Sequence, residues 1–518
     1  MARAELLARG LKSGILSKVY KEVMKRQAKK VLSFVPSGVY ADVRVIEREA
    51  EGIATKDGVV EAAESSSSHG YGVRILKDGV WGFAGSNDFS NDGYERTVKR
   101  ALEIAESSVP YATVKTVLAP AKKVIASYKT EVGKDPFSIS LEDKLELLLE
   151  ADKKQRVSPK IVISQTSYHA HKEKKVFAST EGSLIDQEII WCGAGIEASA
   201  SMGNDFQNRS YPNSHGGQFQ TRGWELVREM NLPGNAQRVG EEAVALLTAE
   251  QCPSGEFDLI LDSNQLALQV HESAGHPTEL DRALGYEASY AGTSFMTPDK
   301  LGKLAYGSKI VNITADATLP GGLGTFGYDD EGVSAQRVFL VKNGVFVDYL
   351  TSRETVEELR RTNPGYAPNS NGAMRASSWS HIPLIRMTNV NLEPHFAEGS
   401  AGQAWSLDSL INDTGNGIFM STNKSWSIDD RRLNFQFGTE IAWEIKNGKR
   451  GRMFKNPTYQ GMTPEFWNSC DAICGKDEWT IWGTPNCGKG QPSQVMYAGH
   501  GTSPARFRKV KVGVIKKW

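Results

Sequence analysis

Residues 270–277 read V-H-E-S-A-G-H-P. Two histidines stand five positions apart, with a glutamate beside the first and a proline straight after the second. That spacing constrains the local backbone more tightly than any other stretch of the chain. In an α-helix each residue advances by about 100°, so i and i+4 share a face while i and i+5 diverge by roughly 140°. The related pattern H-E-x-x-H uses the i+4 relation to aim two imidazoles at one metal ion. One extra residue forbids this in a regular helix. Two backbones resolve the conflict. A π-turn, with its i→i+5 hydrogen bond, brings the rings together again, and such turns favour functional sites. Alternatively the helix ends near the permissive Gly275. Pro277, which lacks an N–H and biases residue 276 away from helical dihedrals, then turns the chain to present His276 from a break. Two histidines on a helix also serve as ordinary hydrogen-bonded residues, so a third donor is what separates the cases. Catalytic zinc takes three protein ligands and keeps one position for water.

The remaining histidines are His69, His169, His171, His215, His381, His395 and His500. The five cysteines are Cys192, Cys252, Cys470, Cys474 and Cys487. They are few, odd in number and unevenly spread, which is not a disulfide framework. Cys487, in N-C-G-K-G-Q-P, is flanked by glycine in a turn-like context. Cys470 and Cys474 form a C-x3-C pair, open to a metal clip, a redox pair or two unconnected thiols. His500, between two glycines, is a further candidate ligand or hydrogen-bond donor, or simply a turn residue. Asp329, Asp330 and Glu331 are either partners for ligand imidazoles or a turn.

Periodicity around the motif predicts an α+β chain. The segment 1–34 has apolar residues at helical spacing. A41-D-V-R-V-I-E-R alternates with period two and predicts a strand, and Y71–L76 and V80–A84 form a hairpin about K77-D-G. Helices follow at 91–106, and at 141–150 behind the cap Ser140. Four strands come next, I161–Y168, K175–T180, S183–W191 and G195–A200, reading as an antiparallel meander. Residues 203–222 are polar and suggest a boundary region. A helix at 235–249, a buried-type strand at 256–262 and the motif helix from Ser263 come next. Beyond them lie hairpins at Asn343-Gly344 and Asn447-Gly448. We read an N-terminal α/β domain over 1–230 and a larger, mainly β C-terminal domain over 231–518 that carries the motif helix.

Lys+Arg and Asp+Glu are equal at 61 each. This balance gives no electrostatic reason to expect nucleic acid or an anionic membrane as partner. Residues 1–20 have charges inside the apolar stretch and no small-residue cleavage site, so neither a signal peptide nor a membrane span is expected. A reducing, cytoplasmic location is the expectation.

Taken in order, H271-E-S-A-G-H-P-T-E-L-D, F326-G-Y-D-D-E-G-V-S, H381-I-P-L-I-R-M-T-N, C487-G-K-G-Q-P and G499-H-G-T-S-P resemble the TldD/PmbA family of metallopeptidases, in its TldD-type, motif-containing branch. The resemblance covers roughly residues 235–518 by motif and the N-terminal half by layout. It implies zinc held by His271, His276 and Cys487, with Glu272 as acid/base. Cys474, which also precedes G-K, competes with Cys487. It further implies hydrolysis of small or unfolded peptides in a chamber closed by dimerisation, with an identical chain or a homologous subunit lacking the motif. His381 and Arg386 lie in a family-like segment without a role assigned by sequence. Competing functions are a peptide-binding or chaperone-like subunit with structural zinc, and thiol redox chemistry at Cys470 and Cys474. Exposed strands near the site suggest that an extended peptide binds by strand addition.

Overall fold

The computed structural model describes residues 13–395 and 404–513. The N-terminal helix runs over Ser13–Leu32; residues 1–12 of the expected 1–34 helix lie outside the described residues. The architecture is α+β. An eight-stranded sheet is ordered Val80–Ser86, Val59–Lys77, Tyr40–Lys56, Ile161–Ser179, Leu184–Met202, Ile125–Lys129. Helices Ser13–Leu32 and Asn91–Ser108 bury Met24, Ala28, Val31, Val98 and Ala101 against Val43, Val45 and Val73 of that sheet. Toward its other end, helices Leu141–Gln155, Trp224–Met230 and Leu232–Thr248 bury Leu148, Ala151, Val227 and Val239 against Tyr168, Ala194 and Ile196. Ser90 and Ser140 cap two of these helices by accepting from the N–H groups of Gly93 and Asp143.

The four meander strands of the sequence reading are two long ones, Ile161–Ser179 and Leu184–Met202, paired antiparallel along nearly their whole length. Charge interrupts the pattern but not the strand, because its charges are paired: Lys172 with Asp135 at 2.6 Å and Lys175 with Asp330 at 2.6 Å. Residues 203–222 contain two strands. Asp205–Tyr211 and Gln218–Gln220 both pair with Leu184–Met202. The turns were legible: Asp78-Gly79, Asn343-Gly344 and Asn447-Gly448 all have positive φ at both positions, as tight hairpins require.

The C-terminal part is rich in strands. Its largest sheet is ordered Gly417–Ile428, Gly255–Leu261, Ala505–Val512, Thr458–Met462, Asn434–Lys446, Lys449–Lys455, Glu250–Gln251. A separate hairpin pairs Thr480–Lys489 with Gln494–Thr502. The motif helix Ser263–Val270 lies between this hairpin and the core, with Leu266 and Val270 fully buried in a cluster that includes Phe435, Tyr459, Trp467 and Phe507.

Buried ion pairs join the two parts. Asp330 meets Lys175 at 2.6 Å and Arg44 at 3.4 Å, and Glu331 meets Arg74 at 3.5 Å. Asp329 accepts the N–H groups of Glu331, Val333 and Met374. The acidic triplet therefore knits the C-terminal part to the N-terminal sheet and does not hydrogen-bond the motif histidines.

Candidate metal centre

The motif helix starts at Asp262, whose side chain caps Ser263 N–H at 2.8 Å. At His271 the backbone widens into a π-turn over His271–Gly275, and the N–H of His276 reaches the carbonyl of His271. A 3-10 turn over His276–Thr278 follows directly. Both resolutions of the i+5 conflict are thus used in series, a widened turn and then a break at Pro277. Gly275 is right-handed, with φ −63°, so it is not there for dihedral freedom. It is there for space: a Cβ would stand 2.1 Å from Sδ of Met387.

The broken helix leaves carbonyls to be satisfied. Pro277 has no N–H for Ser273 O, and the Tyr306 hydroxyl donates there instead at 2.9 Å. The Thr278 hydroxyl serves Ala274 O at 2.8 Å and Gly275 O at 2.9 Å. These donors hold the two rings 4.8 Å apart, centroid to centroid, at 87°.

Hydrogen-bond partners set the tautomer of each ring. Val390 O, an acceptor only, takes the Nδ1–H of His500 at 3.0 Å. Nε2 of a neutral His500 is then an acceptor, and it takes Nδ1–H of His271 at 2.7 Å. Nδ1–H of His276 donates to Glu279 Oε2 at 2.9 Å. Both motif histidines keep Nε2 as a lone-pair donor, the arrangement a metal requires. Sγ of Cys487 lies 3.8 Å from Nε2 of His276. On one tetrahedral zinc, bond lengths of about 2.0–2.1 Å to nitrogen and 2.3 Å to sulfur would place them about 3.6 Å apart. The donor atoms of His271, His276 and Cys487 all lie within 4.8 Å of one another, so the residues present fit such an ion.

Electrostatics agree with the donor set. Burial lowers the pKa of His271 and of His276, favouring neutral rings. Burial pushes the Cys487 thiol up, but the His276 ring and the Arg386 guanidinium outweigh it, and the net shift is downward, toward thiolate. Burial also opposes charge on Glu279, yet Lys489 and His276 hold its carboxyl well below the usual range.

Cys487 is brought in by the separate hairpin, which bulges between Thr484 and Cys487 and pairs Cys487 with Met496 and Trp482 with His500. Arg386 donates to the carbonyls of Cys487 and Gln494. Lys489, wholly buried, reaches Asp281 at 2.7 Å and Glu279 at 3.4 Å. The cysteine strand is thereby tied to the carboxylate that orients His276. Cys474 sits elsewhere, in an apolar cluster with Ile260, Leu410 and Phe419, where burial raises its thiol to about 12. Cys470 is likewise buried and raised by burial, away from the donor group. His381 hydrogen-bonds Ser378 at 2.6 Å and is not part of this cluster.

Glu272, 5% exposed, lines a cleft of about 260 Å³ with His271, His276, Cys487, Arg432, Trp426 and Trp482. Its Oε2 is ion-paired with Nη1 of Arg432. Sequence reasoning missed the orienting parts: His500 as the partner of His271, Glu279, Lys489 and Arg432. Glu279 alone had a local signal, three residues after His276 in H-P-T-E.

Residues 254–514 match the family model for the PmbA/TldA metallopeptidase C-terminal domain, 41–105 that for domain 1 and 134–249 that for the central domain. The chain belongs to the PmbA/TldD metallopeptidase family. A metalloprotease of Methanocaldococcus jannaschii is 30% identical over 459 residues, covering 86% of this chain and 94% of that protein. A zinc metalloprotease TldD homolog of Saccharolobus solfataricus is 22% identical, covering 86% of this chain and 90% of that protein. Among solved structures, TldE from Thermococcus kodakarensis aligns with a TM-score of 0.69 at 15% identity, covering 95% of this chain and 100% of that one. A Thermotoga maritima chain aligns at 0.73 and 16% identity, covering 94% and 100%. These likenesses carry the fold. No helix among the described residues is long and apolar enough to cross a membrane.

Proposed function

We propose that this chain is a zinc-dependent peptidase acting on small or unfolded peptides, with His271, His276 and Cys487 as metal ligands and Glu272 as acid/base. The observation that carries it is the convergence of three donor atoms within 4.8 Å, beside a carboxylate, at the wall of a cleft. The relatives named metalloproteases and the zinc metalloprotease of S. solfataricus support the class and the metal. When bound, zinc would polarise the scissile carbonyl and acidify water. Glu272 takes a proton from the attacking water and returns it to the leaving amine. His500 and Glu279 hold the ligand rings in one tautomer, and the buried, thiolate-favouring setting of Cys487 suits it to complete the set. A thiolate ligand offsets part of the metal's charge, which fits modest turnover in a closed site.

Residues 484–488 of the cysteine strand line the cleft, while the strand's ladder is made with Gln494–Thr502 alone among the described strands. An extended peptide adding to that edge would be read through its main chain. The family resemblance implies assembly with a second copy or with a homologous subunit that lacks the motif.

The test is metal content and cleavage of an unstructured peptide by the purified chain and three variants. Glu272→Gln is expected to retain zinc and lose cleavage. Cys487→Ser is expected to lose zinc, and Cys474→Ser to keep it. Cleavage by Glu272→Gln at the rate of the unaltered chain would overturn Glu272 as the acid/base, whereas no cleavage by the unaltered zinc-loaded chain would leave the reading of a peptide-binding subunit with structural zinc.

A further inference from the structure

Arg432 sits in the turn between strands Gly417–Ile428 and Asn434–Lys446, with φ +62°. A residue with a side chain in this left-handed region costs about 1–2 kcal/mol, a cost glycine escapes and asparagine largely escapes. The turn is pinned on all sides. Arg432 N–H reaches Asp429 O at 2.9 Å, and Thr463 donates to Arg432 O at 2.9 Å. Asp430 O and Arg431 O receive the N–H groups of Thr293 and Phe295, each at 2.9 Å. The guanidinium is therefore carried on a rigid support.

What that support presents is an under-coordinated cation. The side chain is 16% exposed and lines the cleft with His271, Glu272 and His276. A guanidinium has five N–H bonds. Among the described residues its one side-chain partner is Glu272, through Nη1, and its buried Nε has none. Leaving charged donors unsatisfied out of water is costly. Arg386 shows the contrasting case, with both Nη atoms committed to the carbonyls of Gln494 and Cys487. Arg282, fully buried, also leaves Nε and Nη2 without a hydrogen-bond acceptor, but it lies outside the cleft lining, with Nη1 donating to Ala291 O and Nε 3.5 Å from Glu279.

We propose that Arg432 is the oxyanion donor of this site, stabilising the charge that forms on the scissile carbonyl oxygen; the inference rests on the peptidase reading above. When water adds to the carbonyl carbon, a C–O bond forms, the carbonyl π pair moves onto its oxygen, and the water's proton passes to Glu272. The negative charge facing Arg432 thus leaves the carboxylate as an equal charge forms on the oxyanion. The guanidinium exchanges one partner for the other with no net change in local charge. On collapse the oxygen pair re-forms the carbonyl, the C–N bond breaks, and Glu272 returns the proton to the nitrogen. Such a contact is stronger in the transition state than in the ground state, so it acts on kcat.

The zinc-loaded chain, Arg432→Gln and Arg432→Lys are assayed with an internally quenched, unstructured peptide and with a phosphinic peptide whose tetrahedral oxyanion mimics the transition state. Removing one oxyanion donor typically costs 10²–10³ in kcat. Arg432→Gln is expected to lose about that much, with KM and zinc content unchanged, and to bind the phosphinic peptide more weakly by the same factor. Arg432→Lys, which keeps the charge but not the fork, is expected to fall between. A raised KM with kcat intact, loss of zinc, or an unchanged kcat would each overturn the proposal. If the unaltered zinc-loaded chain cleaves nothing, the peptidase reading fails first and the inference falls with it.

Discussion

At the scale of single residues, the candidate site is organised by groups outside the three proposed donors. His271 and His276 each need Nδ1 occupied so that Nε2 is free, and the protein meets the need twice by different chemistry. His500, itself fixed by Val390 O, accepts from His271. Glu279 accepts from His276 and is fixed in turn by Lys489. Outer partners of this kind are typically worth 10–100-fold in metal affinity. Glu279→Gln is accordingly expected to weaken zinc binding by about that factor, measured by competition with a chromophoric chelator. A metal affinity equal to that of the unaltered chain would show that the carboxylate is not needed to orient the ring. The histidines of H-E-x-x-x-H and the cysteine of C-G-K stood out in the sequence as candidate donors, because a metal would demand particular atoms. Their partners were not, because a carbonyl such as Val390 O has no sequence signature and His500 is 229 positions from His271.

At the scale of elements, the decisive one is a helix made to fail in a controlled way. The π-turn, Pro277 and the 3-10 turn convert an i+5 spacing into two converging rings, and Tyr306 and Thr278 supply the donors that the break removes. Gly275 admits Met387 where a Cβ would stand 2.1 Å from its sulfur. Gly275→Ala should therefore destabilise the fold by about 1–3 kcal/mol, the usual cost of overpacking. Pairing it with Met387→Ala should recover part of that loss, read as a non-additive term in urea unfolding midpoints. Strict additivity would show that the two side chains do not meet. The sequence marked the break, since Gly275 and Pro277 flank His276. It misassigned the reason for the glycine, because packing against a residue 112 positions away leaves no local trace. The two long strands illustrate the same limit from the other side. Charges at 171–175 look like a loop until Asp330, from the other part of the chain, is seen to pair with Lys175.

At the scale of the whole molecule, the two parts meet through buried charge and buried histidine. His171, stacked on Trp191 of its own sheet at 5.3 Å, meets Tyr497 of the C-terminal part at 5.9 Å, and burial lowers its pKa to about 4. Its folded value lies below the unfolded value of about 6.5, so its contribution to stability is present above that pH. It is lost as pH falls from about 6.5 toward 4. The 2.5-unit difference corresponds to about 3 kcal/mol. His171→Gln should flatten this part of the stability profile, measured as the urea midpoint between pH 7 and 4. An unchanged slope would mean that other groups govern acid sensitivity.

By itself the sequence determined the fold class, the hairpin turns and the capped helices, and marked the donors of a candidate metal site, because each follows from local chemistry: period, backbone dihedral or ligand atom. Only the tertiary structure decided which thiol joins the histidines, why Gly275 is glycine, and which groups orient the rings. Cys474 and Cys487 have similar neighbours in sequence, but one is folded into an apolar cluster and the other is carried by a separate hairpin to within 3.8 Å of His276. Those outcomes depend on contacts between residues far apart in the chain, and the free energy that selects them resides in packing and in buried charge pairs, which no local window contains.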